Sequence, residues 1–135
     1  MKTIEEKIAD FLAAPAFAVA GASKNRDKYG NKVLRCYLQN GRTVIPVNPH
    51  EPTIEGVACV RTVSELPAAA QSLSIITPPH VTDTVVEEAI ARGIRHIWMQ
   101  PGAQSRAAIA AAEAAGIAVI ADGSCLLVVL GYHEH

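Results

Sequence analysis

The chain has 135 residues, of which 50% are hydrophobic, 19% charged and 4% aromatic, with a formal net charge of −1. This is the length of one domain with enough apolar side chains for a core, which excludes a disordered or collagen-like chain. Near-neutral charge argues against a globally basic nucleic-acid binder, and no apolar run reaches the roughly 18 residues of a membrane span.

Thr3-Ile4-Glu5-Glu6 reads as a capping box that opens a helix over about 3–14, with Ile4, Ile8, Phe11 and Leu12 at helical spacing and Pro15 as its stop. Phe17–Ala20 has the length of a buried strand and ends at Gly21. A polar loop, Ser23 to Tyr29, leads to Gly30 and a second helix marked by Val33, Leu34, Tyr37 and Leu38, closed by Asn40-Gly41. Thr43–Val47 is the second strand, and 48–63 is expected to be irregular. Ser64–Pro67 opens a short helical turn before the third strand, Ser72–Ile76. Val81, Val85, Val86, Ala89 and Ile90 stripe one face of a helix that stops at Gly93. His96–Met99 is the fourth strand, Ser105 caps an Ala-rich helix over 106–115, Gly116 ends it, and Ile117–Ile120 is the fifth strand.

Alternating strands and helices, with strands that are continuous apolar runs, predict a single α/β domain with a Rossmann-like, doubly wound, parallel five-stranded sheet. It would span 1–135, with a core over about 16–125 and a tail over 126–135. With few aromatic residues, the core is expected to rest on Ala, Val, Ile and Leu. The first ten residues carry three acids, unlike a secretory signal. Cys36, Cys59 and Cys125 form no CxxC, which points to neither a disulfide framework nor a zinc site. A reducing cytoplasm is the expected compartment.

Ligands of such sheets bind beyond the carboxyl ends of the strands. The unusual residues gather there: Gly21-Ala22-Ser23, Asn48-Pro49, Thr77-Pro78-Pro79, Gln100-Pro101-Gly102 and Asp122 to Cys125. The first loop lacks G-x-G-x-x-G but carries Lys24, Arg26, Lys28 and Lys32, with Asp27 as the only nearby acid in sequence. Cations beside a helix N-terminus suit a polyanion. The second strand ends Val47-Asn48-Pro49, without the acid that NAD binders use for the ribose, so NAD is disfavoured and NADP stays open.

The segment AVAGASKNRDKYGNKVLRCYLQNGRTVIPVNP, followed by IEGVACVRTVSELP, IITPPHVTDTVVEEAI, GIRHIWMQPGAQS and AGIAVIADGSC, resembles small stand-alone CoA-binding proteins. Their domain is similar to the CoA-binding domain of the succinyl-CoA synthetase α subunit. The resemblance implies a Rossmann-like fold that binds coenzyme A or an acyl-CoA. It implies Gly21, Ala22 and Ser23 at the phosphates, and Arg26, Lys28 and Tyr29 at the adenosine phosphates with Gly30 allowing close approach. Val47, Asn48 and Pro49 would border the adenine nucleotide. Thr77, Pro78 and Pro79 would close over the diphosphate or pantetheine arm, and Gln100, Pro101 and Gly102 would flank the thiol end. Two departures stand out. Many members carry an Arg-containing segment where this chain has Thr77-Pro78-Pro79, and many read Asp-Arg-Cys where it has Asp122-Gly123-Ser124-Cys125. The synthetase's phospho-accepting histidine belongs to a domain outside these residues, so synthetase activity does not follow.

Cys125 is a thiol at a predicted strand end, open to two readings: a mixed disulfide with CoA, or an inert, buried small residue. Cys36 reads as core, as do Trp98 and Met99. His80 stands at the site's edge. His133-Glu134-His135 is expected to be a frayed, solvated tail rather than a metal site. No Ser-His-Asp set and no G-x-S-x-G elbow is present. These residues favour a binding module over an enzyme, whether carrier, sensor or redox partner of CoA. The alternatives are an accessory subunit of an acyl-CoA ligase-type enzyme and an NADP-binding sensing module.

Overall fold

The structure is a computed structural model that describes residues 2–134. Among the described residues there are seven strands: β1 (Ala16–Ala20), β2 (Val44–Val47), β3 (Thr53–Ile54), β4 (Val57–Ala58), β5 (Ala70–Ile75), β6 (His96–Met99) and β7 (Ala118–Ile120). Four helices accompany them: α1 (Ile4–Leu12), α2 (Tyr29–Gln39), α3 (Pro79–Arg92) and α4 (Arg106–Ala114). The main sheet is fully parallel, in the order β2-β1-β5-β6-β7. The chain leaves β1 first toward β2 and then returns to β5 on β1's other side. The switch point therefore lies between β1 and β5, where a doubly wound sheet opens a crevice at its carboxyl edge.

The helix ends follow local chemistry. Thr3 and Glu6 form the reciprocal capping box of α1. Ser105 Oγ accepts from the Ala108 N–H at the start of α4. Gly93 closes α3 in the left-handed conformation that a residue without Cβ adopts at least cost. Proline opens α3, where a missing N–H removes no helical bond.

Alternating side chains of each strand supply two cores. Phe17, Val19, Trp98 and Ile120 face α1 and α2, whereas Ala18, Leu73, Ile75, Ile97 and Met99 face α3 and α4. The aliphatic expectation holds for the second core only. Four of the six aromatic residues, Phe11, Phe17, Tyr37 and Trp98, are fully buried in the first. A few large rings fill volume that many small side chains would otherwise have to fill.

Two other expectations are corrected. The 48–63 stretch is not irregular throughout. It holds the antiparallel hairpin β3–β4, whose turn residues Glu55 and Gly56 both have positive φ. A short 3₁₀ turn, Val63–Glu65, follows under its own Thr62–Glu65 capping box. Nor does His133, in the segment expected to fray, hang free. Leu127–Gly131 forms a π-helical turn, Leu126 is fully buried, and the His133 N–H and carbonyl both bond to the Gln39 side chain. His135 lies outside the described residues. No helix among the described residues is long and apolar enough to cross a membrane.

Candidate functional site

Gly21 leaves β1 with φ +93°, and its Cα faces the backbone of Ile76 and Thr77 at the end of β5. The turn thus needs a residue that tolerates left-handed φ without a side chain. The loop 23–28 then runs back to α2. Asn25 N–H donates to Ser23 Oγ, and Asp27 N–H donates to Asn25 Oδ1, two short side-chain turns that fold the loop on itself. Gly30 sits in the first turn of α2, against Gly21. A Cβ there would overlap the Gly21 carbonyl oxygen, so only glycine lets the helix start this close to the strand end.

A cavity of about 460 Å³ opens at this point. Its walls are Gly21–Ser23, Lys28–Gly30 and Ile76–Pro78. The N-cap residue of α2, Lys28, supplies no capping side chain, so the Tyr29 and Gly30 N–H groups are left for water or an anion, whereas the Asn31 N–H donates to the Lys28 carbonyl. A second cavity of about 250 Å³ shares Gly21, Ala22 and Thr77 with the first and extends past Val47, Asn48 and Pro49 toward α3. Together they form a groove over the carboxyl ends of β1, β2 and β5. Another hollow, at the opposite rim beside Arg95, His96 and Ile117, has a similar volume but lies at the amino ends of the strands, away from the switch point.

Most of the sequence candidates meet in this groove: Gly21, Ala22, Ser23, Lys28, Tyr29, Gly30, Val47, Asn48, Pro49, Thr77 and Pro78. Asn48 also ties two loops, since its Nδ2 donates to the Ala22 carbonyl while its Oδ1 accepts from the His50 and Glu51 N–H groups. Pro79 is the first residue of α3. Pro101 and Gly102 are exposed and line neither cavity. His80 is likewise exposed outside both.

The groove also has walls outside the strand-end motifs. Arg61, Thr62 and Val63, with Val81, Thr84 and Glu88 of α3, close its far side. Thr62-x-x-Glu65 is a capping-box pattern that marks this turn in the sequence. Val81 and Val85 belong to the apolar stripe of α3, and both line the groove, Val85 while also packing against the core.

The charge reading of the first loop is corrected as well. Asp27 is not the only acid near its cations. Lys24 lies 3.4 Å from Glu51 and Arg26 lies 3.4 Å from Glu55, both acids brought in with the β3–β4 hairpin. Lys32 is within 4.0 Å of Glu134. Among the described residues Lys28 makes no ion pair, and it stands at the cavity wall.

Behind the groove, Tyr29 joins Gln100 and Cys125. Gln100 Oε1 accepts from the Leu126 N–H at 2.9 Å and from the Tyr29 hydroxyl at 3.1 Å. With that hydroxyl proton committed, the Cys125 thiol, 2.6 Å away, donates to the Tyr29 oxygen. Burial, then the nearby thiol, pushes the Tyr29 phenol well above its ordinary range, so it stays a neutral donor. Gln100 is fully buried, and its Nε2 has no partner among the described residues. Cys125 is half-buried, whereas Cys36 is fully buried, its thiol pushed up to about 11 by burial and then by Cys125. A thiol so raised and so buried is a poor nucleophile, whereas Cys125 is partly open to solvent. No group of three or more His, Cys, Asp or Glu residues among the described residues is placed to hold a metal ion.

The fold recurs in known proteins. A conserved hypothetical protein from Pyrococcus furiosus is 40% identical, with a TM-score of 0.81 over 84% of this chain and 97% of its own. A hypothetical protein from Pyrococcus horikoshii is 28% identical, with a TM-score of 0.87 over 94% and 89%. The dinucleotide-forming acetyl-coenzyme A synthetase 1 of Candidatus Korarchaeum cryptofilum, solved with phosphate and ADP, is 25% identical, with a TM-score of 0.73 over 81% of this chain but 26% of its own. Residues 15–130 match the family model described as CoA binding domain, so the chain belongs to the CoA-binding domain family.

Proposed function

We propose that this protein binds coenzyme A or an acyl-CoA in the groove over β1, β2 and β5. The observation that carries the reading is the cavity at the switch point, where an uncapped helix start, an unpaired Lys28 and the Gly21–Gly30 contact leave room and positive potential for a diphosphate. Val47, Asn48 and Pro49 take the adenine nucleotide in the adjoining cavity. Thr77, Pro78 and Pro79 cover the diphosphate or pantetheine arm. Lys28, with Arg26 exchanging its Glu55 partner, meets the outer phosphates. Gln100 borders the thiol end through Tyr29, while Pro101 and Gly102 stand outside the groove.

The role is non-catalytic, as a cytoplasmic carrier, sensor or redox partner of CoA. For the redox role, the Cys125 thiolate attacks CoA disulfide, forming a Cys125–CoA disulfide and releasing one CoA thiolate. The Tyr29 hydroxyl, next to Cys125, turns from Gln100 to stabilise the attacking sulfur. An accessory-subunit role in an acyl-CoA ligase is favoured by one observation: this fold recurs as about a quarter of the acetyl-coenzyme A synthetase chain.

Calorimetry with CoA, dephospho-CoA, NADP and NAD tests the reading. CoA should bind tightest, and loss of the 3′-phosphate should weaken binding by about tenfold or more, the scale of one charge-assisted bond. Equal affinity for CoA and dephospho-CoA removes the loop cations from the site, and absence of CoA binding removes the reading. Mass spectrometry after exposure to CoA disulfide should show one adduct of CoA mass on Cys125; its absence removes the redox role alone.

A further inference from the structure

Behind the first loop lies a buried cation. Arg35 of α2 is 5% exposed. A buried guanidinium costs free energy unless acceptors surround it. Its Nε donates to Asn31 Oδ1 at 2.7 Å, and its Nη2 donates to the Arg26 carbonyl at 2.8 Å. The third nitrogen, Nη1, has no hydrogen-bond partner among the described residues. It lies 3.5 Å from Glu134 Oε1, and the guanidinium carbon is 5.5 Å from the centre of the Tyr132 ring.

Asn31, fully buried, passes this constraint forward. With Oδ1 taken by Arg35, the amide has one orientation. Its Nδ2 then donates to the Ser23 carbonyl at 2.8 Å and to Glu55 Oε2 at 3.1 Å. The carbonyls of Ser23 and Arg26, which bracket the outermost part of the loop, are thus held from inside by one chain of bonds rooted in α2. The short turns at Ser23 and Asn25 shape the loop internally, but they do not anchor it to the helix.

We infer that Arg35 is a positioning residue of the ligand groove. Through Asn31 and the Arg26 carbonyl it sets the backbone from which Lys24, Arg26 and Lys28 meet a polyanion. Tyr132 and Glu134 close its outer side, which makes the segment after the π-helical turn part of the support of the site. The inference rests on the CoA reading only for the identity of the polyanion.

Arg35→Lys keeps the charge and the apolar stem but cannot present a planar fork to two acceptors. Two measurements apply. Amide hydrogen exchange of the ligand-free protein should rise at least fivefold across residues 24–28, with β5 and β6 unchanged. The ratio of dephospho-CoA to CoA dissociation constants should fall from about ten toward two, since a loop out of register loses the outer phosphate first. A lower melting temperature with both readouts unchanged overturns the inference and leaves Arg35 a structural residue. The double variant Tyr132→Ala with Glu134→Gln alters one half-buried and one exposed side chain and carries the same test should Arg35→Lys fail to fold. It should raise exchange across 24–28 by about twofold, and no rise overturns the inference. Should the unmodified protein bind no CoA, the exchange measurement still decides the positioning role, and the failure belongs to the CoA reading.

Discussion

The side of the sheet covered by α1 and α2 buries Phe11, Phe17, Tyr37 and Trp98 together with Asn31, Arg35, Ser72, Ser74 and Gln100, whereas the side covered by α3 and α4 buries aliphatic side chains, with Thr82 as its buried polar group. On the first side the rings meet at defined angles: Phe11 stands edge-on to Trp98 at 5.3 Å between centroids, and Phe17 stacks on Tyr37 at 4.9 Å. The polar groups there are bonded directionally: Ser72 Oγ donates to the Phe11 carbonyl at 2.7 Å, and Tyr37 and Ser74 share a bond of 2.7 Å. An aliphatic core asks mainly for volume, while a core of bonded polar groups asks for one geometry. The loop that faces the groove grows out of the second kind, and this side of the molecule therefore determines the shape of the site.

The sharpest test compares neighbours that point to opposite sides. Trp98→Ala should cost about 4 kcal/mol and Ile97→Ala about 3 kcal/mol in urea unfolding, since both empty a full side-chain volume. Only the first also loses the Trp98 Nε1 bond to the Ser124 carbonyl, so only the first should change the rate of Cys125 alkylation. Equal changes from both variants would break the contrast between the two sides. Next, Gly30→Ala should cost about 3 kcal/mol, because its Cβ meets backbone rather than a side chain that can move. Circular dichroism melts would show this, and a loss under 1 kcal/mol would mean that α2 shifts freely. A smaller effect belongs to Tyr37→Phe, which strands the buried Ser74 hydroxyl at about 1–2 kcal/mol. Adding Ser74→Ala should recover most of that loss in a double-mutant cycle.

The smallest expected effect is electrostatic. Burial holds His96 below its ordinary value of 6.5, against the opposing pull of Asp10. The folded protein therefore prefers the neutral ring. Below about pH 6.5 the unfolded chain takes up the proton first, so stability is full above that pH and falls as pH drops toward the folded value. Replacement of His96 by Gln should flatten this part of the stability–pH curve, and an unchanged slope assigns it to other groups.

Much of the site was legible along the chain. Gly21, Asn48 and Thr77 stand just past strand ends and Gly30 at the start of α2, and both kinds of boundary follow from apolar runs punctuated by Gly and Pro. The partners of the loop cations were not legible, because Glu51 and Glu55 reach Lys24 and Arg26 across a hairpin whose Glu-Gly turn carries little signal. Nor could local pattern show that Pro101 and Gly102 stay outside the groove while Gln100 turns inward to Tyr29.

The sequence by itself determined the order of the five main-sheet strands and the four helices, the caps at Thr3, Gly93 and Ser105, and the parallel sheet, because apolar periodicity and capping act over a few residues. Only the tertiary structure decided which charges meet, where the aromatic rings gather and how Arg35 stands behind the loop. Most of those contacts join residues from nine to about a hundred positions apart, and pairing at such separations depends on how the layers pack rather than on any local pattern.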